Sequence, residues 1–195
     1  FFVDPNAEAE HPSPMARQPL VDRASDLGKL LAAWGVKLET GKFVGDLQHA
    51  MKVRFQHQGR LLTIEYPPWI ELPQDRLSDD DIVTANLGKL VFASAGALVD
   101  QTAEDLTFTP LVSSSDTAAL LDVGVIGPGQ DPQSLMDTYK PVGKPLVLAA
   151  RLAGSLNSAF PTGAPPPPEA SANAKPADDS DDKMAPMPHL AKSKE

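Results

Sequence analysis

Apolar and polar residues change their period several times along the chain, and each change marks an element. Leu27, Leu30, Leu31 and Trp34 recur at helical spacing, which predicts a helix over Ser25–Trp34 with Ser25 as N-cap and Gly35 at the C′ position. Val36-Lys37-Leu38 reads as a short strand. From Met51 to Tyr66 the period drops to two: Met51, Val53 and Phe55 alternate with Lys52 and Arg54, and Leu62, Ile64 and Tyr66 alternate with Thr63 and Glu65. A turn through Gln58-Gly59 makes this a hairpin. Pro67-Pro68 is expected to end its second strand, because neither ring nitrogen donates to a ladder. Asp79-Asp80-Asp81 precedes a helical turn near Ile82–Leu87, followed by strands at Lys89–Ala93, Leu106–Val112, Ala119–Val123 and Leu146–Leu152. A short helix is expected after Asp131, with Pro132 at its first position.

The two ends read differently. Phe1-Phe2-Val3 followed by Asp4-Pro5 resembles the close of a buried strand, the kind found in the middle of an α/β sheet. Its sheet partners should flank it in sequence, so the expectation is an excised fragment. From Gly163 onward the chain runs through Pro165–Pro168 to Asp178, Asp179, Asp181 and Asp182, with little apolar bulk. Such a segment cannot offset its ordering entropy by burial. The expected organisation is a folded unit over 1–162 and a flexible, disordered Pro/Asp-rich linker over 163–195. The fold class expected is α/β, part of a sheet decorated by a β-rich insertion.

Composition narrows the chemistry. The chain has 195 residues, 26 Asp and Glu against 17 Lys and Arg, and a formal charge of −9. That argues against a nucleic-acid surface, which needs concentrated basic charge. Cysteine is absent, which removes disulfides, thiolate metal sites and thiol nucleophiles together. No uninterrupted apolar run approaches the ~18 residues of a membrane span.

The order of several segments then becomes informative: FFVDP, LLAAWGVKLETGKFVGD, RLLTIEYPPWIEL, DIVTANLGKLVFASAGAL, LTFTPLVSSS and AARLAGSLNSAFP. The chain resembles the gliding-motility-associated (Gld-type) auxiliary component of uncharacterised ABC-type transport systems, over essentially all of 1–162. The most specific elements are Leu31, Trp34, Gly35 and Val36; Tyr66-Pro67 with Trp69; and Ser158-Ala159-Phe160. The resemblance implies a partial Rossmann-like sheet similar to class I glutamine amidotransferases. It also implies an extracytoplasmic, periplasmic domain, anchored to the inner membrane by segments outside this stretch, and ABC permease and ATPase subunits as partners. Members of the family are not known as enzymes.

Residue by residue, the chemical candidates have plainer readings. His11, His49, His57 and His189 show no metal-binding spacing and are expected at the surface. Ser113-Ser114-Ser115 lacks the flanking glycines of a nucleophile elbow and reads as turn serines. Gly124, Gly127 and Gly129 do not have dinucleotide-binding spacing, and Pro128 removes an amide from any phosphate cradle. Asp79–Asp81 reads as helix capping before a cation site. Trp34 is expected in the core. Trp69, supported by Tyr66, is the aromatic left for partner docking, with a hairpin-covering role as its plain alternative.

The function expected is therefore a non-enzymatic binding or assembly subunit, with no catalytic residue, metal or cofactor assigned. Two alternatives stand beside it: an envelope glycan-binding module using Trp69, and an amidotransferase- or hydrolase-like enzyme with its nucleophile outside this stretch.

Overall fold

The computed structural model describes residues 1, 3–7, 24–25, 27–57, 59–126, 131–132, 134–161 and 163. Among them the protein is mostly β-structure. The elements in order are α1 (Gly28–Ala33), β1 (Val36–Leu38), β2 (Lys42–Gly45), β3 (Ala50–His57), β4 (Arg60–Pro73), β5 (Lys89–Ala93), β6 (Leu98–Asp100), β7 (Leu106–Ser113), β8 (Ala119–Asp122), α2 (Ser134–Thr138) and β9 (Val147–Gly154). The strands form three sheets in the orders β1-β6-β9-β7, β2-β8 and β3-β4-β5. Every described pairing is antiparallel. The parallel ladder of a Rossmann-like sheet therefore has no counterpart among the described residues.

The sheets share one core. Val44 of β2, Ile70 and Leu72 of β4, Val112 of β7 and Leu148 of β9 pack with Leu77, Ala97, Ala118 and Leu146. A second cluster holds Phe43, Ala119, Leu121 and Leu135, with Tyr66 and Tyr139 against it. Phe43 and Val44 are successive strand residues and so point to opposite faces, yet both are fully buried. Strand β2 thus lies between the two clusters, which explains why it shows no apolar–polar alternation. A third cluster, Leu31, Val36 and Leu38 with Phe108 and Leu152, seats α1 on the first sheet.

Several expectations are corrected. The helix is shorter than Ser25–Trp34, and Ser25 does not cap it: the Ser25 hydroxyl accepts the Asp4 amide at 3.0 Å. Gly35 does follow the helix in the left-handed region, at φ 66°. Phe1 and Val3 lie outside any strand, and Phe1 is largely exposed with its ring edge-on to Trp34. Trp34 is half-buried, its indole N–H donating to the Asn157 carbonyl at 3.1 Å.

Pro67-Pro68 does not end β4, which runs to Pro73. The prolines sit in the bulge between the Tyr66–Met51 and Ile70–Ala50 pairs, where β4 gains β5 as a second partner on its other edge. Tyr66 still pairs with Met51 of β3, a bulge follows, and Trp69 pairs with Ala93 of β5. There the prolines act only as acceptors: Pro67 O takes the Asp46 amide at 3.2 Å and Pro68 O the Ser94 amide at 2.7 Å. No proline N–H is called for at the bulge, so the strand passes through. Strands β2 and β6 were not anticipated. The expected linker, apart from Gly163, lies outside the described residues, as do His11, His189, Phe2 and Gly127–Gly129.

Candidate functional site

Asp46 directly follows β2 and is completely buried. Its carboxylate accepts the Ser115 hydroxyl at 2.7 Å on Oδ1 and the Ser115 amide at 2.8 Å on Oδ2. Oδ1 also takes the Gln48 amide at 3.0 Å, and Oδ2 takes His49 Nδ1 at 3.0 Å. With four donors the carboxylate's acceptor sites are essentially filled. Burial is the largest influence on its ionisation and opposes it. The Ser115 amide, the His49 ring and the Ser115 hydroxyl nonetheless hold the Asp46 carboxyl below the usual carboxylate range. Gly45 precedes it because a Cβ there would come to 2.8 Å of Leu121 Cδ1.

The rest of the cluster ties neighbouring loops to Asp46. Ser115 Oγ lies 2.8 Å from Thr117 Oγ1. Ser114 Oγ accepts the Leu146 amide at 2.9 Å. The Tyr139 hydroxyl accepts the Leu47 amide at 3.0 Å and lies 2.7 Å from the Thr117 carbonyl, which it meets as donor. Burial, then the nearby Asp46 charge, push the Tyr139 phenol up, and only the Leu47 amide opposes them.

The three residue types of a hydrolase triad are thus together, but in the wrong order. A serine nucleophile needs an imidazole to take its proton, oriented by the acid from behind. Here Asp46 stands between Ser115 and His49, and the serine proton is directed to the carboxylate. The arrangement is a hydrogen-bonded clasp between the β2–β3 and β7–β8 loops. His49, expected at the surface, has a side chain only 10% exposed. Asp46 was not singled out from sequence. An acid directly after Phe43-Val44-Gly45, three successive buried strand residues, was the available signal, legible only once β2 is recognised.

The expected capping role at Asp79–Asp81 is met by Asp81. Its carboxylate accepts the Val83 amide at 2.9 Å and pairs in a fork with Arg151 of β9, with Nε–Oδ2 at 2.6 Å and Nη2–Oδ1 at 2.7 Å. Arg151 foremost, then the Val83 amide, hold Asp81 below the usual range. The pair fixes the turn carrying Ile82, Val83 and Leu87. Among the described residues no group of three or more His, Asp or Glu side chains is placed to hold a metal ion.

The docking candidates separate. Tyr66 is half-buried against the Phe43 cluster, and its ring meets Trp69 edge-on at 5.8 Å. Trp69 is 38% exposed, opposite Ala93 on the outer face of the β4–β5 pair. A cavity of about 230 Å³ lies between α1 and the first sheet, lined wholly by apolar residues including Phe1, Trp34, Phe108 and Leu152.

With this geometry in place, the family model described as "ABC-type uncharacterized transport system" matches residues 1–187. The chain belongs to this family. It is an auxiliary component of an ABC-type transport system. The match covers every described element and continues into the Pro/Asp-rich segment. No curated protein and no solved structure matches the chain. Among the described residues of this auxiliary component, no helix is long and apolar enough to cross a membrane.

Proposed function

We propose that this auxiliary component is a non-enzymatic binding and assembly subunit of the gliding-motility-associated type. In this reading it acts on the extracytoplasmic side of the inner membrane, held there by segments outside this stretch, and docks onto the permease and ATPase of its own system. The antiparallel β-structure is then the β-rich insertion of a larger, Rossmann-like, amidotransferase-like unit. Docking is assigned to the face bearing Trp69, with Tyr66 bracing it from behind. A rigid aromatic beside an open apolar surface is the usual kind of interface anchor.

One observation carries the non-enzymatic part. The most reactive-looking group, Ser115 with Asp46 and His49, is spent on structure, because the serine hydroxyl donates directly to the buried carboxylate at 2.7 Å. The test is co-purification of the tagged full-length protein with the permease and ATPase expressed from the same system. A stoichiometric complex that Ser115→Ala leaves intact is the expected result. An acyl- or glycosyl-hydrolase activity that Ser115→Ala abolishes would overturn the reading.

A further inference from the structure

Strand β5 lies at the edge of its sheet, and its hydrogen-bonding phase is fixed by two neighbours. Ser94 N–H donates to Pro68 O, and Glu71 N–H donates away from β5, to His49 O at 2.9 Å. In an antiparallel ladder the bonded and non-bonded pairs alternate. The pairs Ile70–Phe92 and Leu72–Leu90 are therefore the bonded ones, and the N–H and C=O groups of Lys89, Val91 and Ala93 point outward. Among the described residues β5 has no second partner strand.

Side chains reinforce this edge. Leu90 and Phe92 face the core, while Val91 is 54% exposed. Val91 lies diagonal to Trp69, which stands opposite Ala93, within reach of a large side chain. The turn leading into β5 adds Ile82 at 93% exposure, with Val83 and Leu87 also exposed. Apolar groups concentrated in this way mark interaction surfaces. Natural edges are commonly guarded by an outward lysine or proline. The one lysine here, Lys89, is instead drawn back to Glu71 at 2.8 Å.

Building on the docking function proposed above, we infer that an extended, cationic segment of a partner subunit adds to this sheet as a fourth strand along β5, with its apolar side chains over Trp69, Val91 and Ala93. Outward amides and carbonyls recognise an extended backbone, which is the basis of β-strand addition. Charge selects a cationic segment: exposed Asp79 accepts the Gln74 side-chain amide, which in turn holds the Gly88 N–H just before β5, and the whole chain carries −9. A second copy would bring another −9 to the same edge, which disfavours self-pairing.

The test titrates the purified permease–ATPase complex of the same system with the full chain, its Val91→Pro and Val91→Lys variants, and Leu61→Lys as a remote control on the hairpin. Proline at 91 removes an outward N–H and leaves the β4 ladder intact, and lysine repels a cationic strand. The wild-type protein and Leu61→Lys are expected to bind equally. Both Val91 variants, with unchanged thermal unfolding, are expected to bind at least tenfold more weakly, and binding is expected to weaken with salt. Should Val91→Pro unfold, Val91→Lys carries the comparison alone. Unchanged binding by a folded Val91 variant overturns the edge assignment and leaves the docking function standing. A wild-type dimer in sedimentation that Val91→Pro dissolves overturns it in favour of a second copy. Failure of wild-type protein to bind at all overturns the docking function itself.

Discussion

The Ser115 hydroxyl lies 2.7 Å from Asp46 Oδ1, across a sequence separation of 69 residues, and both side chains are completely buried. His49 occupies the other oxygen of the same carboxylate. The most polar part of the interior is therefore a junction between two loops, placed where strand β2 passes between two apolar clusters.

Removing the acid should be costly. Asp46→Ala leaves the Ser115 amide and hydroxyl, the Gln48 amide and the His49 ring without their shared acceptor. Uncompensated buried donors and a broken buried charge interaction together predict a loss of about 3–5 kcal/mol, read as a fall in the urea midpoint. Ser115→Ala, which keeps the amide contact, should lose about 1–2 kcal/mol.

The same carboxylate sets an acid limit. Its folded-state pKa is depressed below that of an ordinary carboxylate, so folded protein binds the proton later than unfolded protein as pH falls. The stabilisation is fully present above the ordinary carboxylate pKa and is lost as pH drops through the depressed value. Tyr139 works at the other extreme. Its pKa is raised above 10.0, so stability should decline as pH climbs past that value. Urea midpoints across pH should show both edges. Asp46→Asn should flatten the acid one and, by removing a charge that helps raise Tyr139, also shrink the alkaline one, which burial keeps in place.

At the helix–strand junction, Gly35→Ala should destabilise on two counts. Its φ of 66° disfavours any side chain, and a Cβ would come within 2.6 Å of Gln101 O. The left-handed conformation alone costs about 1–2 kcal/mol, so a loss of at least about 2 kcal/mol is expected in thermal unfolding. At Trp69 the outcome is the reverse: Trp69→Ala should change stability by about 1 kcal/mol or less, as a partly exposed residue does, while weakening partner binding.

How much of this was legible in the sequence depends on the range of the forces involved. The hairpin was, because Met51–Phe55 and Leu62–Tyr66 each carry a strict period of two that one solvent face enforces. Gly35 was, because a left-handed helix end calls for it. Strand β5 was, from Lys89 to Ala93. Strand β2 was not: Phe43 and Val44 are buried on both faces, so alternation is erased. The continuation of β4 through Pro67-Pro68 was not, because it depends on acceptors meeting Asp46 and Ser94 from elsewhere. Of the candidate site, Trp69 and Tyr66 were visible as aromatics beside prolines. The Asp46–Ser115–His49 clasp was not, since its members meet only through tertiary contact and each looks ordinary in its own loop.

In the function proposed above, the chain works by contact and its buried polar cluster serves only to hold loops together. The most direct measurement is the affinity of the full chain for the purified permease–ATPase complex, compared among wild type, Trp69→Ala and His49→Gln, each normalised to folded protein. Weaker binding by Trp69→Ala, with His49→Gln matching wild type, is the predicted result. Equal binding by Trp69→Ala, together with a catalytic turnover that His49→Gln eliminates, would contradict it.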